Sequence, residues 1–310
     1  MLYAMIDVGS NTIRMAIYEI DGDRVEMLMK RKHTVGLASY VHDGYMQHQG
    51  IDKVVEIIQE YRNFLDDLGI NRVTAFTTAA LRNSINGRDA VREISYRTRT
   101  NITLMSGDDE ATYDFIGATH NLDEEKGLLI DIGGGSTEIV YFNYNTIQVK
   151  VSLPIGSLSF HTRYTGKQHI LPSRKECEEM YAEAEATVSA INEFRDISHA
   201  QICGIGGTFK GAMALYNSMY GLPRRNMRME VRRLRDILKR FQRDYELVVP
   251  DKVLLMRTVP ERMHTFMPGL IIADVLAKRF GSQAIIYSDS GVREGYIYSK
   301  ILTNEDFFSL

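Results

Sequence analysis

The sequence predicts a duplicated α/β fold, and three observations carry that prediction. An apolar stretch at residues 2–6 runs into Asp7-Val8-Gly9-Ser10-Asn11-Thr12 and resumes as an apolar stretch at 13–20. A second stretch at 127–130 runs into Asp131-Ile132-Gly133-Gly134-Gly135-Ser136-Thr137-Glu138 and resumes at 139–142. After each of these strand–turn–strand units comes a third strand, and then helical and extended patterns alternate. Strands followed by helix, strand and helix, repeated once, are the signature of two similar α/β units.

The elements follow in order. Residues 2–30 read as a β-meander with strands at 2–6, 13–20 and 25–29, and Asp21-Gly22-Asp23 as its second turn. Residues 52–68 place Val54, Ile57, Ile58, Tyr61, Phe64 and Leu65 at helical spacing. A short strand at 73–76 leads into Thr77-Thr78-Ala79-Ala80-Leu81-Arg82. A helix follows at 88–97, then a strand at 102–105. Ser106-Gly107-Asp108-Asp109-Glu110 opens the next helix, its acids suited to the positive end of the helix dipole. After a polar linker at 121–127 the meander returns, with strands at 128–131, 138–142 and 146–152. The remainder reads as a helix at 173–195, a strand at 200–203 and Gly204-Ile205-Gly206-Gly207-Thr208 opening a helix. Then come a basic helix at 230–246, an apolar helix at 267–280, a strand at 284–287 and a last helix at about 292–302. The division is expected at 1–122 and 123–310, with the terminal segment at about 296–310 returning to pack on the first unit.

Composition narrows the function class. The charged fraction of 25% and the hydrophobic fraction of 44% are those of a soluble globular chain. No apolar run is long enough to span a bilayer, and the start lacks a signal-peptide pattern, so a cytoplasmic protein without a membrane partner is expected. The two cysteines, Cys177 and Cys203, fit a reducing compartment as free thiols. A net charge of −3 gives no reason to expect nucleic-acid binding, and a site for a polyanion must be built locally.

The two hairpins supply such a site. Gly133, Gly134 and Gly135 let backbone N–H groups approach an anion as a nest, and Ser136 and Thr137 add hydroxyls. Ser10 and Thr12 add hydroxyls in the first hairpin, and Asn11 an amide. The plain alternative for each is a tight, ligand-free turn. Asp7, Asp131 and Glu138 would repel phosphate unless a divalent cation lies between, with Mg2+ expected and Mn2+ an alternative. Gly206, Gly207 and Thr208 place donors at a helix N-terminus. The segment is neither a dinucleotide fingerprint nor a P-loop. Glu110 is the candidate base for activating water, with Asp108 and Asp109 competing. Arg82 and Arg14 are candidates to clamp phosphate oxygens, against the alternative of ordinary ion pairs. Residues 224–243 hold eight arginines and Lys239: a track for a long polyanion, or a solvated helix face. The eight histidines show no metal-ligand spacing.

Taken together these segments resemble the Ppx/GppA phosphatase family of exopolyphosphatases and guanosine pentaphosphate phosphohydrolases. Asp7 to Arg14 is similar to its first phosphate motif, and Thr77 to Arg82 to its Ala-Thr-x-x-x-Arg segment. Ser106-Gly107-Asp108-Asp109-Glu110-Ala111 is similar to its Ser-Gly-x-Glu-Glu-Ala, and Asp131 to Glu138 to its second phosphate motif. Gly206-Gly207-Thr208 matches a later glycine motif, and Gly291-Val292-Arg293-Glu294-Gly295 its Gly-Leu-Arg-Glu-Gly stretch.

The resemblance implies two ribonuclease H-like domains of the actin, sugar-kinase and heat-shock ATPase superfamily, with an active site in the cleft between them. It also implies Mg2+-dependent removal of a terminal phosphate by water, with Glu110 as the catalytic carboxylate. Asp109 stands where the family usually has glutamate. Long members carry extra C-terminal helical domains, and a short, two-domain form is expected here. The expected reaction is exopolyphosphatase hydrolysis of inorganic polyphosphate. Guanosine pentaphosphate (pppGpp) hydrolysis, a sugar- or acid-kinase reaction and a non-catalytic polyphosphate sensor are the alternatives, and a homodimer stays open as an assembly.

Overall fold

The computed structural model describes residues 1–120, 126–166, 168–244 and 246–303. The expected domain boundary at 122/123 and the end of the terminal segment, 304–310, lie outside the described residues. The chain forms two compact units. One is Met1–Glu110 with the described part of Tyr296–Leu310, and the other is Ala111–Gly295.

In the first unit, β1 (Leu2–Val8), β2 (Thr12–Asp21) and β3 (Arg24–Thr34) form the antiparallel meander. A small hairpin, β4 (Val41–His42) and β5 (Tyr45–Met46), follows. β6 (Val73–Thr77) and β7 (Ile102–Leu104) add in parallel, giving the order β3-β2-β1-β6-β7. The amphipathic helix His48–Asp67 lays Ile51, Val54, Ile58, Tyr61 and Leu65 on the sheet core of Ile6, Val8, Ile13 and Met15. The buried Tyr61 hydroxyl donates to the Ile13 carbonyl at 3.1 Å, which satisfies the polar tip of an otherwise apolar contact.

The second unit repeats the plan. β8 (Lys126–Ile132), β9 (Thr137–Asn143) and β10 (Thr146–Leu153) form its meander. β11 (Gln201–Ile205) lies parallel to β8, and β13 (Ala284–Tyr287) lies parallel to β11. An added edge strand, β12 (Arg228–Glu230), runs antiparallel to β13 and completes the order β10-β9-β8-β11-β13-β12.

Four differences from the sequence reading have physical reasons. The basic helix expected at 230–246 spans only Val231–Arg240: Arg228–Glu230 joins the sheet before it, and the chain leaves the helix at Phe241, which is buried in the core. The helix expected to Arg195 is Arg174–Ser189; beyond it the chain turns to bury Ile191 and Phe194. Its start is a reciprocal cap, with the Glu176 N–H on Ser173 Oγ at 3.3 Å and the Ser173 N–H on the Glu176 carboxylate at 2.7 Å. A helix not foreseen, Val249–Thr258, begins with Pro250 in its first turn, and its buried Asp251 receives Arg240. The last helix is short, Val292–Tyr296, and continues as a wider turn over Ile297–Ile301. The apolar helix Phe266–Phe280 is buried on nearly every side and fills the core of the second unit. Among the described residues no helix is long and apolar enough to cross a membrane.

Candidate functional site

The first hairpin turns at Gly9, whose N–H donates to the Thr12 carbonyl at 3.1 Å. The carbonyls of Ser10 and Asn11 are tied back by N–H groups of the following segment: Ala38 to Ser10, and Val35 and Gly36 to Asn11, each at 2.9 Å. With its carbonyls held behind, the turn presents its N–H groups forward. Ser10, Asn11 and Thr12 are all buried, and both polar atoms of the Asn11 amide lack a hydrogen-bond partner among the described residues. A buried amide left this way is costly unless a ligand or water completes it. Asp7 and Arg14 are cross-strand partners in register and form an ion pair at 3.3 Å. The Val8 carbonyl receives the Thr77 hydroxyl at 3.0 Å, which locks β6 beside the turn.

The second hairpin repeats these contacts. Gly133 N–H donates to the Ser136 carbonyl at 2.9 Å. Ser157 N–H holds the Gly133 carbonyl, and Leu158 and Ser159 hold that of Gly134, all at 2.9 Å. No described backbone carbonyl accepts from the N–H of Gly134 or Gly135. The Ile132 carbonyl receives the Thr208 hydroxyl at 2.7 Å, the counterpart of Thr77 on Val8. The short helix Ser157–Phe160, which braces this turn from behind, went unrecognised in the sequence; Gly156-Ser157 directly after a strand was its only signal.

Asp131 and Glu138 are cross-strand partners, so both carboxylates project from the same face of the sheet. Glu138 is fully buried, and its Oε1 accepts from Ser136 Oγ at 2.8 Å and Ser152 Oγ at 2.7 Å. Among the described residues no three acids, histidines or cysteines gather as a ready metal cluster. Two carboxylates on one face nonetheless form an all-oxygen donor set that suits a hard cation, which fills its remaining positions with water and phosphate oxygens.

Gly206 begins the helix Gly206–Met219, three residues earlier than the sequence pattern indicates. Its φ is 77°, and a Cβ there would lie 2.2 Å from Asp131 Oδ1. Only glycine permits both the left-handed turn and this approach of backbone to carboxylate. The neighbouring Gly207 is covered by the Arg262 guanidinium, which occupies the space a Cβ would take, 1.9 Å from it. Arg262 thus stands beside the first-turn N–H groups of the helix, a cation that sequence reasoning missed because it comes from a 3-10 turn, Pro260–Arg262, far along the chain. Gly291-Val292-Arg293-Glu294-Gly295 opens the helix Val292–Tyr296, where the Gly291 N–H donates to the Glu294 carboxylate at 3.1 Å.

Glu110 lies in the first turn of Gly107–Thr119 and is 8% exposed, whereas Asp108 and Asp109 are exposed. It accepts from Arg82 Nη1 at 2.6 Å, and the same nitrogen lies 3.3 Å from the Met105 carbonyl. Asp109 caps its own helix start instead: its N–H and carboxylate both engage Ser106 Oγ, at 3.0 and 2.6 Å. That reciprocal contact accounts for a short acid at this position.

The basic segment divides. Arg232 and Arg233 pair with Glu230, Arg235 with Asp274, Arg240 with Asp251 and Arg243 with Glu176. These five are structural ion pairs rather than a continuous track. His161 and His264, far apart in sequence, meet edge-to-face with ring centroids 5.2 Å apart.

Comparison with known proteins gives one consistent result. The profile described as the Ppx/GppA phosphatase family matches residues 16–304. A "putative exopolyphosphatase" of Haemophilus influenzae is 26% identical over 305 residues, covering 96% of this chain and 90% of that protein. A "guanosine-5'-triphosphate,3'-diphosphate pyrophosphatase" of Aeromonas hydrophila is 24% identical, covering 98% of this chain but only 60% of its own length. Among solved structures, an exopolyphosphatase from Cytophaga hutchinsonii superposes with a TM-score of 0.80 at 24% identity, covering 98% of both chains. The Aquifex aeolicus Ppx/GppA family member gives 0.75 at 22%, covering 98% and 99%. At these identities the structures establish the shared fold, two similar mixed α/β sheet units.

Proposed function

We propose, from the premise that this chain belongs to the Ppx/GppA phosphatase family, that it is an exopolyphosphatase that splits the terminal phosphoanhydride of inorganic polyphosphate and releases orthophosphate. The observation that carries hydrolysis, as against phosphate binding alone, is the buried Glu110 held by Arg82 at 2.6 Å. A carboxylate kept out of bulk water and oriented by a guanidinium is equipped to take a proton from an attacking water. Arg82 is equally suited to phosphate oxygens. As its guanidinium turns to substrate, the Glu110 carboxylate loses a stabilising cation and becomes the stronger base. The water oxygen bonds to the terminal phosphorus, the bridging P–O bond breaks with its electron pair left on the oxygen of the shortened polyphosphate, and the water proton passes to Glu110, so that orthophosphate and the shorter chain depart.

The amides of Gly134 and Gly135, the Ser136 hydroxyl and the first-turn amides of Gly206, Gly207 and Thr208 receive phosphate oxygens, with Arg262 adding charge. Ser10, Asn11 and Thr12 supply donors from the first hairpin, and the buried Asn11 amide gains a partner when they do. Arg14, already held by Asp7, contributes a clamp of nearly neutral pair charge. A divalent cation held by Asp131 and Glu138, Mg2+ or Mn2+, would neutralise phosphate charge as the bond breaks. We place the protein in the cytoplasm, consistent with Cys177 and Cys203 as free thiols.

The test is orthophosphate release from polyphosphates of several lengths and from pppGpp, in the presence of Mg2+. Glu110→Gln should lower kcat about 10²–10⁴-fold with KM little changed. Undiminished turnover in that variant would sink the assignment. Faster release from pppGpp than from any polyphosphate would establish the alternative substrate, which the Aeromonas hydrophila relative's name supports.

A further inference from the structure

Three arginines of the basic segment behave unlike the other five. Arg224 and Arg225 are the corner residues of a β-turn closed by the Asn226 N–H on the Pro223 carbonyl at 2.9 Å. Arg228 follows directly, at the start of β12. All three are exposed, and none forms an ion pair among the described residues, although Arg228, after Arg232 and Arg233, helps hold the Glu230 carboxyl below its usual range. The turn beneath them is rigidly built. The Asn226 side-chain amide donates to Asn217 Oδ1 at 2.7 Å and to the Arg228 carbonyl at 2.8 Å. Asn217, buried in the helix Gly206–Met219, returns a bond to the Asn226 carbonyl at 2.8 Å. Five arginines of the segment pair with four acids, whereas Arg224 and Arg225 on the pinned turn and Arg228 at the start of the strand form no ion pair among the described residues, which leaves a local concentration of positive charge.

Sheet register says where that charge lies. β8, β11 and β13 are parallel, and Asp131 pairs with Ile205 near the carboxyl ends of the first two. β12 runs the opposite way: Arg228 pairs with Ile286, and the Tyr287 N–H donates to the Met227 carbonyl at 2.8 Å. The turn of Arg224 and Arg225 therefore stands at the same end of the sheet as Asp131 and the Gly206 turn. It is three strands away from β8, about 14 Å at ~4.8 Å per strand.

We infer that Arg224, Arg225 and Arg228 form a distal subsite for an extended polyphosphate chain whose terminal phosphate lies at the Asp131–Gly206 cradle. This inference rests on the exopolyphosphatase reading and makes it specific for long chains. Tripolyphosphate, seated at the cradle, is too short to reach the turn. A long chain passes over it and gains three charge contacts, each releasing counterions and steepening the dependence on salt.

The experiment uses the triple variant Arg224→Glu, Arg225→Glu, Arg228→Glu, with Lys239→Glu on the neighbouring helix as a control. Orthophosphate release is measured on tripolyphosphate and on polyphosphate of about a hundred residues, across a salt series. The triple variant should lose tenfold or more in kcat/KM on the long chain, with a shallower salt dependence. Tripolyphosphate turnover should stay within twofold, which also reports that the fold is intact, and Lys239→Glu should match the wild type on both. An unchanged ratio of long-chain to tripolyphosphate kcat/KM in the triple variant overturns the subsite. Equilibrium binding of the two polyphosphates separates this outcome from failure of the hydrolase reading. If the wild type releases no phosphate but binds the long chain tenfold more tightly than the triple variant does, the subsite stands and the hydrolase reading falls. Equal long-chain binding by both overturns the subsite whether or not the wild type is active.

Discussion

Across from Asp7 in the first hairpin stands Arg14; across from Asp131 in the second stands Glu138. The two turns otherwise match closely. Each has the same glycine-to-carbonyl bond, each has two turn carbonyls tied back by the segment after its third strand, and each has a threonine hydroxyl on the carbonyl after the aspartate. One exchanged cross-strand partner divides their chemistry. An acid facing an arginine is satisfied within the protein and leaves its turn amides to grip an anion. An acid facing a second acid is a charge deficit that a cation relieves. On the proposed reading both frames hold phosphate, and the exchanged cross-strand partner is what suits the second to a cation.

The sharpest way to break this contrast is to neutralise the acids separately. Asp131→Asn or Glu138→Gln should lower kcat about 10²–10³-fold, comparable to the loss of a preorganised charge-stabilising group, and raise the Mg2+ concentration needed for half-maximal rate. Asp7→Asn should cost about tenfold or less, because it removes only an ion pair at 3.3 Å. Equal losses in a phosphate-release assay would mean that the hairpins are functionally equivalent.

A second comparison concerns the residue after each inner parallel strand. Gly206 takes φ 77° against Asp131, whereas Thr78, after β6, keeps φ −122°. Gly206→Ala should cost about 2–4 kcal/mol, from left-handed strain and the clash with the carboxylate, and Thr78→Ala about 1 kcal/mol or less. Urea denaturation of both variants tests this, and similar midpoints would show that the second turn is not the more tightly specified.

A smaller effect separates the braces behind the hairpins. Only the second leads into a buried histidine, His161, which burial first and the neighbouring His264 next push from 6.5 down to about 4, against a weaker pull from Glu176. The unfolded chain takes up this proton near pH 6.5 and the folded chain only near 4. The stability is therefore fully present above 6.5 and is lost as pH falls through that window, by up to about 3 kcal/mol. Unfolding midpoints at several pH values should drop across this range in the wild type and fall less steeply in His161→Phe, where His264, lowered by burial and by Arg262, still contributes. An unaltered slope in the variant would place the pH dependence elsewhere.

Much of the site was legible because its chemistry is local. Gly133, Gly134 and Gly135 in a row, or an acid in the first turn of a helix, announce themselves within a few residues. What escaped depends on residues distant in the chain. Arg262 reaches Gly207 from a turn more than fifty positions later. The Ser157–Phe160 brace is too short for periodicity to register. The arginines of 224–243 look alike in sequence, and only their acids, drawn from Glu176, Asp251 and Asp274, show which are structural.

By itself, then, the sequence determined the duplication, the strand–turn–strand frames, the family and the identity of the candidate acids, since these rest on residue type and short-range spacing. Tertiary structure alone decided the pairing: that Asp7 faces Arg14 while Asp131 faces Glu138, that Glu110 rather than Asp109 is buried on Arg82, and that Arg224, Arg225 and Arg228 form no ion pair among the described residues where five neighbouring arginines do. Charge acquires a role from what lies within a few ångströms of it, and register and packing across the sheet set those neighbours.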